Sequence, residues 1–170
     1  MRRIVSLLFV IILTQFMWSQ TPVAIKSGAV TFNFVEKNVN GSISGFTSKS
    51  KIDWNNLERA VIEGSVATET LKTGNFLRDW SLKGGKYFDA NDYPKIYFKS
   101  TSVQLKESDV LVTGNLTIKT ITKPIHIKFQ KKGNSLRGTT TLFSSDFGIT
   151  VLKKGRESNK VSVEFDLILQ

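Results

Sequence analysis

Residues 112–129 read VTGNLTIKTITKPIHIKF. In the first half Val112, Gly114, Leu116 and Ile118 alternate with Thr113, Asn115, Thr117 and Lys119. In the second, Ile125, Ile127 and Phe129 alternate with His126 and Lys128. A period of two places successive side chains on opposite faces, so each run is a β-strand with one buried and one wet face. The same pattern recurs outward along the chain. It is present in Val30, Phe32 and Phe34; in Ile62, Gly64, Val66 and Thr68; in Ile96, Phe98 and Ser100; and in Val161, Val163, Phe165 and Leu167. Weaker strands are read at residues 41–47, 103–105 and 136–142. Gly133-Asn134 after Lys131-Lys132 is a hairpin turn with charged flanks. Eight or more strands with no helix between most of them predict an all-β fold. A closed antiparallel eight-stranded barrel is the economical form, because closure removes exposed sheet edges.

One stretch breaks the alternation. Residues 75–83 carry Phe76, Leu77, Trp80 and Leu82 at roughly helical spacing after Thr73-Gly74-Asn75, a helix-capping context. A short helix is predicted near an opening of the barrel. Phe76, Trp80, Leu82 and Phe88 are expected to pack it and the following loop against the barrel.

The N-terminus sets the compartment. Arg2 and Arg3 precede an apolar run over residues 4–17, the pattern of a signal peptide and too short for a comfortable membrane span. Residues 1–20 are therefore read as a leader and residues 21–170 as one domain of an exported protein, periplasmic or secreted. The chain holds no cysteine, which removes disulfides, thiolate ligands and thiol nucleophiles and leaves the fold to its hydrophobic core. Without Arg2 and Arg3, 22 basic and 14 acidic residues remain, and the net charge falls from +10 to +8. Such a surface suits contact with anionic membranes; no nucleic-acid motif accompanies it.

Motifs for chemistry are sparse. His126 is the one histidine and alternates away from Ile125 and Ile127, so it faces outward and makes no metal site with neighbouring histidines. No Gly-x-Ser-x-Gly elbow is present. Asp79, Asp89, Asp92 and Asp146 each stand in a turn-like or capping context. No catalytic residue and no metal is assigned, and the chain is read as not an enzyme.

Several blocks taken together resemble one family. They are Val30-Thr31-Phe32-Asn33-Phe34 with Gly41-Ser42-Ile43-Ser44-Gly45-Phe46; Thr73-Gly74-Asn75; Arg78-Asp79-Trp80-Ser81-Leu82; Tyr87-Phe88-Asp89; and Tyr93-Pro94-Lys95-Ile96-Tyr97-Phe98-Lys99-Ser100. After residues 112–118 follow Thr122-Lys123-Pro124-Ile125 and Ser144-Ser145-Asp146-Phe147-Gly148-Ile149. In this order they resemble the YceI-like family of exported, lipocalin-like proteins. The resemblance implies a barrel enclosing an amphiphilic lipid of polyisoprenoid type, with a quinone as another possible guest and no other cofactor. Two departures bear on the head group: Lys26-Ser27-Gly28 replaces a histidine-containing segment, and Lys119-Thr120 stands where the family has a glycine.

With that cavity implied, the inward-phase positions Phe32, Phe34, Ile62, Val66, Phe98, Leu116, Ile118, Ile127, Val163 and Phe165 become its expected lining. Arg78 and Lys83 become the head-group candidates at the mouth. The competing readings are a solid-core envelope module that contacts anionic lipids or polymers through its basic surface and, third, a hydrolytic enzyme. The oligomeric state, monomer or dimer, stays open.

Overall fold

The computed structural model describes residues 21–170; the predicted leader lies outside the described residues. Within them the strands are β1 (Ile25–Phe34), β2 (Val39–Ile43), β3 (Thr47–Ser48), β4 (Glu63–Ala67), β5 (Lys95–Lys106), β6 (Asp109–Ile118), β7 (Ile121–Lys132), β8 (Ser135–Phe143) and β9 (Lys160–Leu169). One α-helix, α1 (Phe76–Lys83), joins β4 to β5. All strands belong to one antiparallel sheet in the order β2-β1-β9-β8-β7-β6-β5-β4-β3.

The stretch that announced the fold is the β6–β7 hairpin. Val110 faces Phe129, Val112 faces Ile127 and Ile118 faces Ile121 across it, so one face of the pair is apolar except where Lys123 stands opposite Leu116. The two-residue turns between β5 and β6, β6 and β7, and β7 and β8 open with Glu107, Lys119 and Gly133 at φ of 58°, 55° and 55°. Positive φ at that place gives the turn a twist that matches the strands.

Three expectations need correction. The sheet has nine strands, and its ladder is not closed: β2 and β3 are its two ends. Gly45, at φ 69°, ends the extended run after β2, and β3 is only two residues long, so no full ladder can form across the seam. Isolated bridges cross it instead. Ser42 exchanges backbone bonds with Lys72 (2.9 and 3.0 Å), Ala67 N donates to Ser44 O (2.9 Å), and Val23 exchanges bonds with Ile52 (2.8 and 2.9 Å). The architecture is a half-barrel whose open side is stitched rather than zipped. Second, residues 103–105 are not a strand of their own. They continue β5 beyond a bulge between Ser100 and Ser102, which resets the phase and turns Val103 into the core.

The third correction concerns α1. Asn75 caps it, its side chain accepting a bond from the Arg78 backbone N–H (3.0 Å). Phe76, Leu77 and Trp80 do not pack against the sheet; they are 81%, 73% and 73% exposed. At about 100° per residue, Phe76, Leu77 and Trp80 share one arc of the helix, while Arg78, Ser81 and Leu82 occupy the opposite one. Leu82 therefore cannot turn inward together with Phe76 and Trp80. The structure buries the Leu82 side, and Leu82 and Phe88 pack on Val30, Ile43, Leu71 and Val163.

Candidate functional site

The concave face of the sheet encloses a cavity of about 620 Å³, inside the range of roughly 300–1,000 Å³ usual for small-molecule sites. Alternation along the strands makes its wall apolar. All ten inward-phase positions read from the sequence line it: Phe32 and Phe34 on β1, Ile62 just before β4 and Val66 on it, Phe98 on β5, Leu116 and Ile118 on β6, Ile127 on β7, and Val163 and Phe165 on β9. Several are inward yet not fully buried, because part of each side chain faces the void: Phe32, Val66, Phe98 and Phe165 are of intermediate exposure.

Glycines make part of the room. A Cβ on Gly114 would stand 2.4 Å from Cζ of Phe98, and one on Gly41 2.3 Å from Cζ of Phe32. Each ring lies against a neighbouring strand that offers no side chain there. Larger residues would push the two rings into the cavity.

The cavity extends to α1. Arg78, Ser81 and Leu82 of the helix line it, as do Thr73 before the helix and Tyr87 and Phe88 after it. Arg78 is held in place: Nε donates to Thr73 Oγ1 (2.7 Å) and Nη2 to the Thr73 carbonyl (2.9 Å). Asp79 Oδ1 accepts from the Thr73 backbone N–H (2.7 Å) and also from its hydroxyl. Arg78 and Asp79 together form a clasp on Thr73 that fixes the start of the helix. Of the five guanidinium N–H donors, two are engaged with Thr73. Lys83, the other head-group candidate, does not line the cavity; Lys37, between β1 and β2, does. Sequence reading missed Lys37 because it follows the end of a strand, where alternation no longer says which way a side chain points. It also missed Leu71, Tyr87, Phe88 and Leu142, of which Tyr87 and Phe88 stood in a quoted block.

A second cover lies on the same end of the sheet. Residues 144–159 contribute Phe147, Ile149 and Val151 to the lining. Asp146 anchors this cover, accepting from Arg156 Nε (2.8 Å) and Nη2 (2.7 Å). The Arg156 guanidinium lies 3.5 Å from the ring centre of Phe143. The bonds from Arg156 hold the Asp146 carboxyl below its ordinary value, against the opposing effect of desolvation. Asn159 completes the anchor, its Oδ1 accepting from the backbone of Val151 (2.8 Å) and Leu152 (3.0 Å). His126 is exposed on the convex face, its Nδ1 3.0 Å from Thr113 Oγ1.

Residues 20–169 match the YceI-like domain. The chain belongs to the YceI-like family. Among its relatives, a UPF0312 protein of Vibrio parahaemolyticus is 33% identical over 125 residues, 67% of this chain and 66% of that protein. One from Shewanella is 27% identical over 141 residues, covering 76% and 72%. Solved structures share the fold. BcnA of Burkholderia cenocepacia superposes with a TM-score of 0.70 at 19% identity, over 83% of this chain and 95% of that one. A polyisoprenoid-binding domain from Saccharophagus degradans, implicated in plant cell wall breakdown, superposes with a TM-score of 0.61 at 12% identity, over 89% and 99%. The YceI-like fold of this chain is thus a curled antiparallel sheet with one short helix at its open end.

Proposed function

We propose that this YceI-like protein is an exported carrier that holds an amphiphilic lipid of polyisoprenoid type, its chain along the cavity and its head at the α1 end. The observation that carries the reading is the cavity of about 620 Å³ walled by inward-phase apolar side chains. An apolar chain placed there leaves water for a hydrocarbon surface, at about 25 cal/mol per Å² removed from water, less the cost of ordering the chain. At the α1 end Lys37, Thr73, Arg78 and Ser81 border the cavity, and Arg78 and Lys37 are the basic side chains of its lining. The remaining N–H donors of Arg78 suit an anionic head. The fold shared with a polyisoprenoid-binding domain supports the same class of ligand. A void of this size is the observation that ranks the carrier above the solid-core module.

Native mass spectrometry of the protein purified from its own cell envelope tests this reading. The expected spectrum shows a chain beginning within a few residues of Thr21, carrying a lipid mass. Leu116→Trp places an indole in the void beside Phe98 and should abolish the adduct with only modest loss of stability. A native protein that carries no lipid and takes up no isoprenoid, quinone or fatty-acyl compound would overturn the carrier reading.

A further inference from the structure

We infer that the outer face of α1 is a membrane-docking surface that seats the cavity mouth on an anionic lipid bilayer. Phe76, Leu77 and Trp80 project from one arc of this helix, 81%, 73% and 73% exposed. The other large apolar residues that are exposed among the described residues, such as Val35, Val61, Leu105 and Ile168, are spread over separate elements. Single exposed apolar side chains are ordinary on a protein surface, whereas three on one turn of helix form a patch that needs a partner. Nothing in the packing forces them out for a structural purpose, since α1 is anchored by its opposite arc and by the Thr73 clasp.

Charge selects the partner. Lys72, Lys83 and Lys86 flank the patch in sequence, and Lys119 reaches the same segment from the β6–β7 turn, its Nζ 3.5 Å from the Gly85 carbonyl. The acidic residue within residues 72–86 is Asp79, already occupied by Thr73. Phe, Leu and Trp on one face with basic residues around them are the composition of a helix that lies in the headgroup region of an anionic bilayer. Trp80 in particular has a ring suited to the boundary between hydrocarbon and water. The inner arc of the same helix lines the cavity, so a docked α1 would leave the mouth facing the bilayer rather than bulk water. The inference stands on the outer arc alone and does not depend on what the cavity holds.

The absence of cysteine gives a direct test. A nitroxide is attached to the full chain through Leu77→Cys or, as a control, through Leu105→Cys. Leu105 is an exposed residue near the β5–β6 turn, at the far end of the sheet. With phosphatidylcholine vesicles containing phosphatidylglycerol, the label at 77 should move out of reach of a water-soluble relaxant while that at 105 stays in water. Pure phosphatidylcholine should bind at least roughly tenfold more weakly. Phe76→Ser with Trp80→Ser, both at exposed positions, should return the label at 77 to water. The inference is overturned if the label at 77 stays in water, or if it responds equally to both vesicles and ignores the serine changes. The second result would assign any membrane affinity to another segment such as residues 1–20. It is also overturned if spin–spin broadening at 77 grows with protein concentration without vesicles, which would make the face a contact between two copies. A lipid adduct in the mass spectrum is unaffected by any of these results, so the two readings fail separately.

Discussion

At the end of the sheet where β5 turns into β6, Val103, Val110, Val112 and Leu136 are at most 2% exposed and do not line the cavity. On the same concave face at the α1 end, Phe32, Val66, Phe98 and Phe165 keep surface towards the cavity. The residue types barely differ, yet one end is a filled core and the other a lined void. The strands are long and tightly hairpinned at the filled end, so side chains from β5 to β9 meet one another. At the open end the sheet is finished by a helix and a loop, which cap the space without filling it. Apolar patterning therefore says which face is inside, and the way each end is covered says whether that inside is solid.

Aromatic truncation gives the sharpest contrast. Phe129, 1% exposed with Phe165 6.0 Å away between ring centres, should cost about 3–5 kcal/mol when changed to Ala. Trp80→Ala, on the outer arc of α1, should leave stability within about 0.5 kcal/mol of the parent. Denaturant titrations of the two variants side by side would break the contrast if Phe129→Ala proved mild, or if Trp80→Ala proved as costly as the change in the core.

Most strand positions, their inward phase and a capping region for α1 at residues 73–75 were legible in the sequence, because each depends on neighbours within a few residues. What it hid depends on contacts over long separations. The seam between Ser42 and Lys72 joins segments whose own patterns carry no sign of each other. The bulge after Ser100 hid the continuity of β5, since a reset of phase reads as the end of a strand. Alternation likewise cannot tell a void from a core, because Leu116 beside a cavity and Val112 beside Ile127 obey the same pattern. The orientation of α1 was open to simple arithmetic of turns, but the expectation that large apolar residues go inside pulled Phe76 and Trp80 the wrong way.

The second cover of the open end gives a smaller, pH-dependent effect. Because bonds from Arg156 hold Asp146 below its ordinary carboxylate value, the folded protein binds this proton less readily than the unfolded chain. The pair's stabilisation is therefore complete above the ordinary carboxylate value of 3.8. It is lost as pH falls below that value towards the lower folded one. Asp146→Asn should lower stability at neutral pH by about 1 kcal/mol and give a flatter acid limb. The two melting-temperature curves should converge at the most acidic pH; parallel curves would show that the clasp contributes nothing.

The smallest expected effect lies at Lys119, which opens the β6–β7 turn. Its φ of 55° is a left-handed conformation that costs a side-chain-bearing residue about 1–2 kcal/mol. Glycine relieves that strain but loses about 0.5–1 kcal/mol through the greater freedom of the unfolded chain. On backbone terms alone Lys119→Gly should therefore raise stability by a few tenths of a kcal/mol. The side chain works against this gain. Lys119 Nζ approaches the Gly85 carbonyl at 3.5 Å and lies 5.8 Å from the ring centre of Tyr93, tying the turn to the loop that follows α1. These contacts are exposed and weak, so the backbone effect should prevail and the melting temperature should rise slightly. Amide exchange in residues 84–93 should quicken in the same variant, because the tether to that loop is gone. A fall in melting temperature would mean that the tether outweighs the strain, and that the open end is held by its lysine more firmly than its exposure implies.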